Sequence, residues 1–92
     1  MMTARYIRSP DIRVTELDGE GVVLHLVNRR YFTVSESGLV ILNALERHQT
    51  LDNVVRVLLR TYDVTPDVAM STASDFLREC ESNGMVIREP VA

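Results

Sequence analysis

Lysine and tryptophan are missing from this chain of 92 residues, and cysteine occurs once. The lone Cys80 excludes an internal disulfide framework and any cysteine-rich zinc site, and a single thiol fits a reducing cytosol. No apolar run approaches the roughly eighteen residues of a membrane span. The longest, Leu39-Val40-Ile41-Leu42, stops at the polar Asn43. Met1 to Arg8 has no apolar segment of the kind a secretory signal carries. An excess of positive charge is also missing: thirteen acidic side chains face ten basic ones, for a net charge of −3. Dedicated nucleic-acid-binding domains are usually clearly basic, so this balance argues against nucleic acid as a partner. The length bounds one domain over residues 1–92 with one small core, expected to be ordered from about residue 10 to 88. The expectation is a small, soluble, cytoplasmic protein with no membrane partner.

What is present changes rhythm near Ser35. Ile12 to Leu17 reads as a strand, and Asp18-Gly19-Glu20-Gly21 as a hairpin turn rich in residues that tolerate positive φ. Val22 to Val27 is apolar except for His25, as expected of a central strand. Asn28-Arg29 marks a second turn. Arg30 to Val34 closes a meander, with Phe32 and Val34 on one face and Tyr31 and Thr33 on the other, and this third strand is either an edge or paired with something later. Helices follow. Ser35 is the expected N-cap of a first helix reaching about Glu46, and Gly38 inside its first turn points to a close backbone approach. Thr50 caps a second helix whose Leu51, Val54, Val55, Leu58, Leu59 and Tyr62 keep helical spacing. Thr65-Pro66-Asp67 opens a third, which buries Ala69, Ala73, Phe76, Leu77 and Cys80 and ends at Asn83-Gly84. Met85-Val86-Ile87 is a short apolar tail before Pro90 that is open to a strand reading. The fold class is therefore α+β: a three-stranded antiparallel sheet followed by three helices, with the outline of a winged helix-turn-helix.

Chemistry is sparse. His25, His48 and Cys80 lie in different elements without metal-ligand spacing, so no metal is expected. Cys80 sits on an apolar stripe between Glu79 and Glu81, a setting that disfavours a thiolate nucleophile. No serine occupies a nucleophile elbow, and no glycine-rich loop cradles a phosphate. The reading is a non-enzyme without a cofactor. Two surfaces remain. One is the segment Arg29, Arg30, Tyr31, Phe32, Thr33 and Val34, whose strand either blunts a sheet edge or offers it to an extended peptide. The other is the outer face of the third helix: Asp67, Met70, Ser71, Ser74, Asp75 and Arg78.

In order and spacing these pieces resemble the PqqD-like family, the small peptide-recognition domains of ribosomal peptide maturation. The resemblance runs from about Val22 to Ile87. It rests on the aromatic strand Tyr31-Phe32-Thr33-Val34 leading into Ser35-Glu36-Ser37-Gly38, on Thr50-Leu51-Asp52-Asn53-Val54, on Tyr62-Asp63, and on Phe76-Leu77 through Gly84-Met85-Val86. Val34-Ser35 stands where the family has Leu-Asn, Glu46-Arg47-His48-Gln49 replaces a common Asp-Gly, and Cys80 and Met85 replace leucines. The looser motif favours the stand-alone proteins of lasso-peptide clusters over the pyrroloquinoline quinone branch. The resemblance implies an adaptor. A precursor's leader peptide adds as a strand to the third β-strand, against the third helix, and is presented to a separate protease or modifying enzyme. On this chain it assigns the edge to Arg30 through Val34 and the opposite wall to the face from Asp67 to Arg78. Arg29, Arg30 and Arg78 are then placed to pair leader carboxylates, and Asp67 and Asp75 leader cations. The alternative of another class is a winged-helix DNA-binding protein reading through the third helix.

Overall fold

The computed structural model describes residues 3–91. The elements are β1 (Thr3–Arg8), β2 (Ile12–Leu17), β3 (Glu20–His25), β4 (Arg30–Val34), α1 (Glu36–Ala44), β5 (Gln49–Thr50), α2 (Leu51–Thr61), α3 (Pro66–Ser82) and β6 (Val86–Val91). They form an α+β domain with two antiparallel sheets, ordered β2-β3-β4 and β5-β1-β6, and three helices.

The β2-β3-β4 meander follows from its turns. Asp18 and Gly19 both have positive φ (53° and 82°), the conformation a two-residue hairpin needs to match strand twist. The second turn is held by His25: its Nδ1 accepts from the backbone N–H of Val27 and Asn28 at 3.3 and 3.5 Å. That leaves Leu26 and Val27 in the loop and exposed, so the strand expected to reach Val27 ends at His25. Arg29 takes the left-handed conformation (φ 59°) that completes the turn.

All three helices start at the expected side-chain caps: Ser35 accepts from Gly38 N–H, Thr50 from Asn53 and Thr65 from Val68. Each satisfies a backbone donor that has no partner within the first turn. Helix α1 stops at Ala44, short of the expected Glu46, because Leu45 turns out of helical geometry as its C-cap. Ile41, Leu42, Leu45, Val54, Leu58, Ala73 and Leu77 form the centre of the core, with Ile12 and Val23 entering from the meander. Cys80 packs there as a small hydrophobe, 1% exposed.

One expectation is corrected. The apolar tail at Met85-Val86-Ile87, open to a strand reading, does become one from Val86 on. The expectation, however, is a single three-stranded sheet and an ordered core from about residue 10 to 88. Instead β1 pairs with β6 along its whole length, from Thr3↔Val91 to Arg8↔Val86, and also with β5, so strands reach past both expected limits. Pro90 lies within β6; the strand tolerates it because β6 is an edge, where a missing N–H breaks no central ladder. This sheet packs beside α2 and α3 and leaves β4 untouched.

Candidate functional site: a cleft between an edge strand and a helix

Strand β4 is an edge: among the described residues nothing pairs with its outer side. Which of its backbone groups face outward follows from the hairpins. Leu26 N–H donates to Asp11 O at 2.8 Å, and Leu17↔Glu20 closes the two-residue turn. Those two rungs fix the alternation of an antiparallel ladder, so Glu20, Val22 and Leu24 direct their backbone groups to β2, while Gly21, Val23 and His25 direct theirs to β4. Their partners Val34, Phe32 and Arg30 point back to β3. The N–H and C=O groups of Tyr31 and Thr33 are therefore left facing out, a ready template for one more strand.

Beside this edge runs α3. Between them lies a cleft of about 210 Å³, with Phe32, Thr33, Val34 and Ser35 on the strand side, Phe76, Glu79, Cys80 and Asn83 on the helix side, and Met85 at its end. At Ser35 it meets a larger, mainly apolar cavity of about 380 Å³. Leu58 and Tyr62 of α2, Val64, and Val68, Ala69 and Thr72 of α3 form its walls. Val68 and Val64 remain 51% and 37% exposed there, which is costly for apolar surface unless something covers it. Tyr62 donates its hydroxyl to Glu36 Oε1 at 3.4 Å on the rim. Its pKa is raised by partial burial and then by the Glu36 charge and hydrogen bond.

Gly38 shapes this region, as its place in the first turn of α1 suggested. A Cβ there would lie 2.7 Å from Phe76 Cε1 and 3.2 Å from Val34 Cβ, the two side chains that face each other across the cleft.

The sequence-predicted residues distribute unevenly. Phe32, Thr33 and Val34 line the cleft. Arg30 stacks over the Phe32 ring, 5.6 Å from its centroid. Tyr31 is 72% exposed and, with Arg29, borders a depression on the outer face of the meander. Of the six residues read on the outer face of α3, none lines the cleft. Ser74 and Arg78 instead border a depression with Tyr6 and Arg88 of the terminal sheet. Asp75 pairs with Arg78 at 3.4 Å, an exposed contact of little energetic weight. Asp67, Met70 and Ser71 are exposed elsewhere on the helix.

The physical reason is helical geometry. At about 100° per residue, the buried stripe of Ala69, Ala73, Leu77 and Cys80 has two flanks. Val68, Thr72, Phe76, Glu79 and Asn83 share one, and Met70, Ser74, Arg78 and Glu81 the other. Only the first borders β4. The spacing of Thr72, Phe76, Glu79 and Asn83 was visible in the sequence; which flank meets the strand was not.

Cys80 touches the cleft floor but is not poised for chemistry. Burial, and then the Glu79 charge, push its pKa from 9.0 up to about 12, so the thiol stays protonated. Two outcomes follow. Iodoacetamide should leave Cys80 unmodified in the folded protein and label it fully in denaturant. The folded thiol holds its proton where the unfolded one has lost it, so folding stability should decline as pH rises from about 9 towards about 12. A denaturation midpoint flat across that window would contradict the burial argument. Among the described residues no group of His, Cys, Asp and Glu is arranged to hold a metal ion, and no helix is long and apolar enough to cross a membrane.

Comparison with known proteins gives a consistent result. A model of the family described as Coenzyme PQQ synthesis protein D (PqqD) matches residues 20–86. Among solved structures, a chain from "TbiB1 in Complex with the TbiA(beta) Leader Peptide" superposes with a TM-score of 0.78 at 25% identity, covering 87% of this chain and 93% of that one. A chain from "Lasso peptide synthetase B1 complexed with the leader peptide" gives 0.76 at 21% identity, with 89% and 96% covered, a likeness in fold alone. No curated protein matches the chain.

Proposed function

Starting from the fact that the chain belongs to the PqqD family, we propose that it is a non-catalytic adaptor for the leader segment of a ribosomally made precursor peptide. The leader adds as a strand to β4, lies against the Phe76-Glu79-Asn83 flank of α3, and is presented to a separate protease or modifying enzyme in the cytoplasm. One observation carries this reading. The outward N–H and C=O groups of Tyr31 and Thr33 face an open cleft of mixed apolar and polar lining, about 210 Å³ in volume, beside α3. TbiB1, of like fold, is a protein solved with a leader peptide. Main-chain pairing supplies affinity for any extended segment, and the adjoining cavity rewards an apolar side chain at one end. Held this way, the core peptide meets its enzyme at high effective concentration.

The lasso-peptide branch is favoured by the looser motif and the likeness in fold to a lasso peptide synthetase B1, with the pyrroloquinoline quinone branch as the runner-up on the family match. The β5-β1-β6 sheet beside α2 and α3 supports describing the helical part as winged helix-turn-helix-like. A DNA-reading role is disfavoured by charge: Asp67, Asp75, Glu79 and Glu81 all stand exposed on α3, where phosphates would be repelled.

The test is a fluorescence-anisotropy titration with a labelled leader taken from the short open reading frame nearest this gene, against its scrambled version and a DNA duplex. Saturable binding of the leader alone, at micromolar affinity or tighter, is expected. Equal binding of the scrambled peptide, or salt-dependent binding of the duplex alone, would overturn the adaptor reading.

A further inference from the structure

Nine residues line the cleft between β4 and α3, and Glu79 is the one charged side chain among them. Its carboxylate takes part in none of the ion pairs among the described residues, which join Arg8 to Glu46, His48 to Glu89 and Arg78 to Asp75. Neighbouring Arg78 is turned to the other flank of the helix and engaged with Asp75. Arg30, the charged residue of β4, is stacked on Phe32. Asn83 donates from Nδ2 to the Glu79 carbonyl at 3.1 Å, tying its side chain back to the helix between the two residues' positions. An unpaired anion thus stands on one wall of a groove whose other surfaces are aromatic, aliphatic or neutral polar. Covering that groove with a peptide would strip water from the carboxylate, and a cation opposite it offsets that cost most fully.

We propose that Glu79 is a specificity-determining residue that selects a lysine or arginine at one position of the bound peptide. The inference rests on the leader-binding reading above. Side chains of an added strand alternate between the α3 side and the outer side. A cation opposite Glu79 therefore fixes the register of the peptide in steps of two residues, which main-chain pairing alone leaves free to slip. An anion at that position faces like charge and is rejected.

The test uses a phage-displayed library of random twelve-residue peptides, panned in parallel on the wild-type protein and on the Glu79→Gln and Glu79→Lys variants. Glu79 is exposed, and unchanged thermal melts would confirm that both variants are folded. The wild type should enrich Lys or Arg at one position of an otherwise apolar extended motif. Against a selected peptide, Glu79→Gln should bind about three- to ten-fold more weakly, with a reduced salt dependence. Glu79→Lys should shift the enriched residue at that same position to Asp or Glu, which a steric role for the side chain does not predict. If all three proteins enrich the same motif, the selector role is wrong while leader binding stands. A wild-type protein that enriches no peptide and fails to bind the neighbouring leader overturns both.

Discussion

A Thr33→Pro variant is expected to fold and to lose leader binding. The alternation set by the two hairpins turns the Thr33 N–H away from β3 and towards the cleft. Proline there removes no rung of the β3-β4 ladder, but it deletes a donor that the leader backbone requires and places a ring in the path of the added strand. A hydrogen-bonding group buried without its partner costs about 1–3 kcal/mol, and the ring's bulk adds to that. Affinity should therefore fall by roughly 100-fold or more. The matched control is Phe32→Pro, one residue earlier. Its N–H points to β3 and its ring packs against the core, so this variant should lose the fold as well as the binding. Circular dichroism separates the two outcomes. A folded Thr33→Pro protein that still binds the leader at wild-type affinity would sink the strand-addition mechanism.

Gly38→Val should damage both stability and binding, and comparison with Gly38→Ala separates the causes. Alanine in place of glycine inside a helix ordinarily gains about 1 kcal/mol. Here the new Cβ meets the Phe76 ring edge at 2.7 Å and Val34 at 3.2 Å, and overpacking of that kind costs about 1–3 kcal/mol. The two terms leave alanine a net loss of about 0–2 kcal/mol, so its thermal midpoint should fall less than that of the valine variant. The half-buried Phe76 ring yields towards the cleft, where there is space, and leader affinity should fall about ten-fold. Valine adds two methyl groups and forfeits most of the helix gain, so a loss of about 2–3 kcal/mol is expected. That corresponds to roughly 10–20 °C in a domain of this size. Unchanged binding by Gly38→Ala would mean that Phe76 moves away from the cleft rather than into it.

Much of this fold was legible because the signals are local. Ser35, Thr50 and Thr65 cap helices through their own side chains, within three residues of the donors they satisfy. Asp18-Gly19 makes its turn from backbone preference alone. Gly38 and Cys80 were readable because each is the wrong residue for an exposed helix and the right one for close packing. The strand β1 was not legible, since its partner lies at the other end of the chain and no turn joins them. Pairing over that distance depends on where the core carries the two ends. Nothing in Thr3–Arg8 announces it.

The candidate site divides along the same line. The sequence by itself determined a strand of one arginine and two aromatics, a capped third helix, and the stripe that helix buries. Those follow from periodicity, propensity and capping, which act over a turn of helix or a pair of strand residues. Only the tertiary structure decided that the outward backbone groups are those of Tyr31 and Thr33, because strand parity is passed across β3 from the turn at Asp18-Gly19. It alone decided that the helix meets β4 through Phe76, Glu79 and Asn83 and not through Ser74 and Arg78. An amphipathic helix has one buried stripe but two flanks, and the choice between them is made by the elements packed on either side.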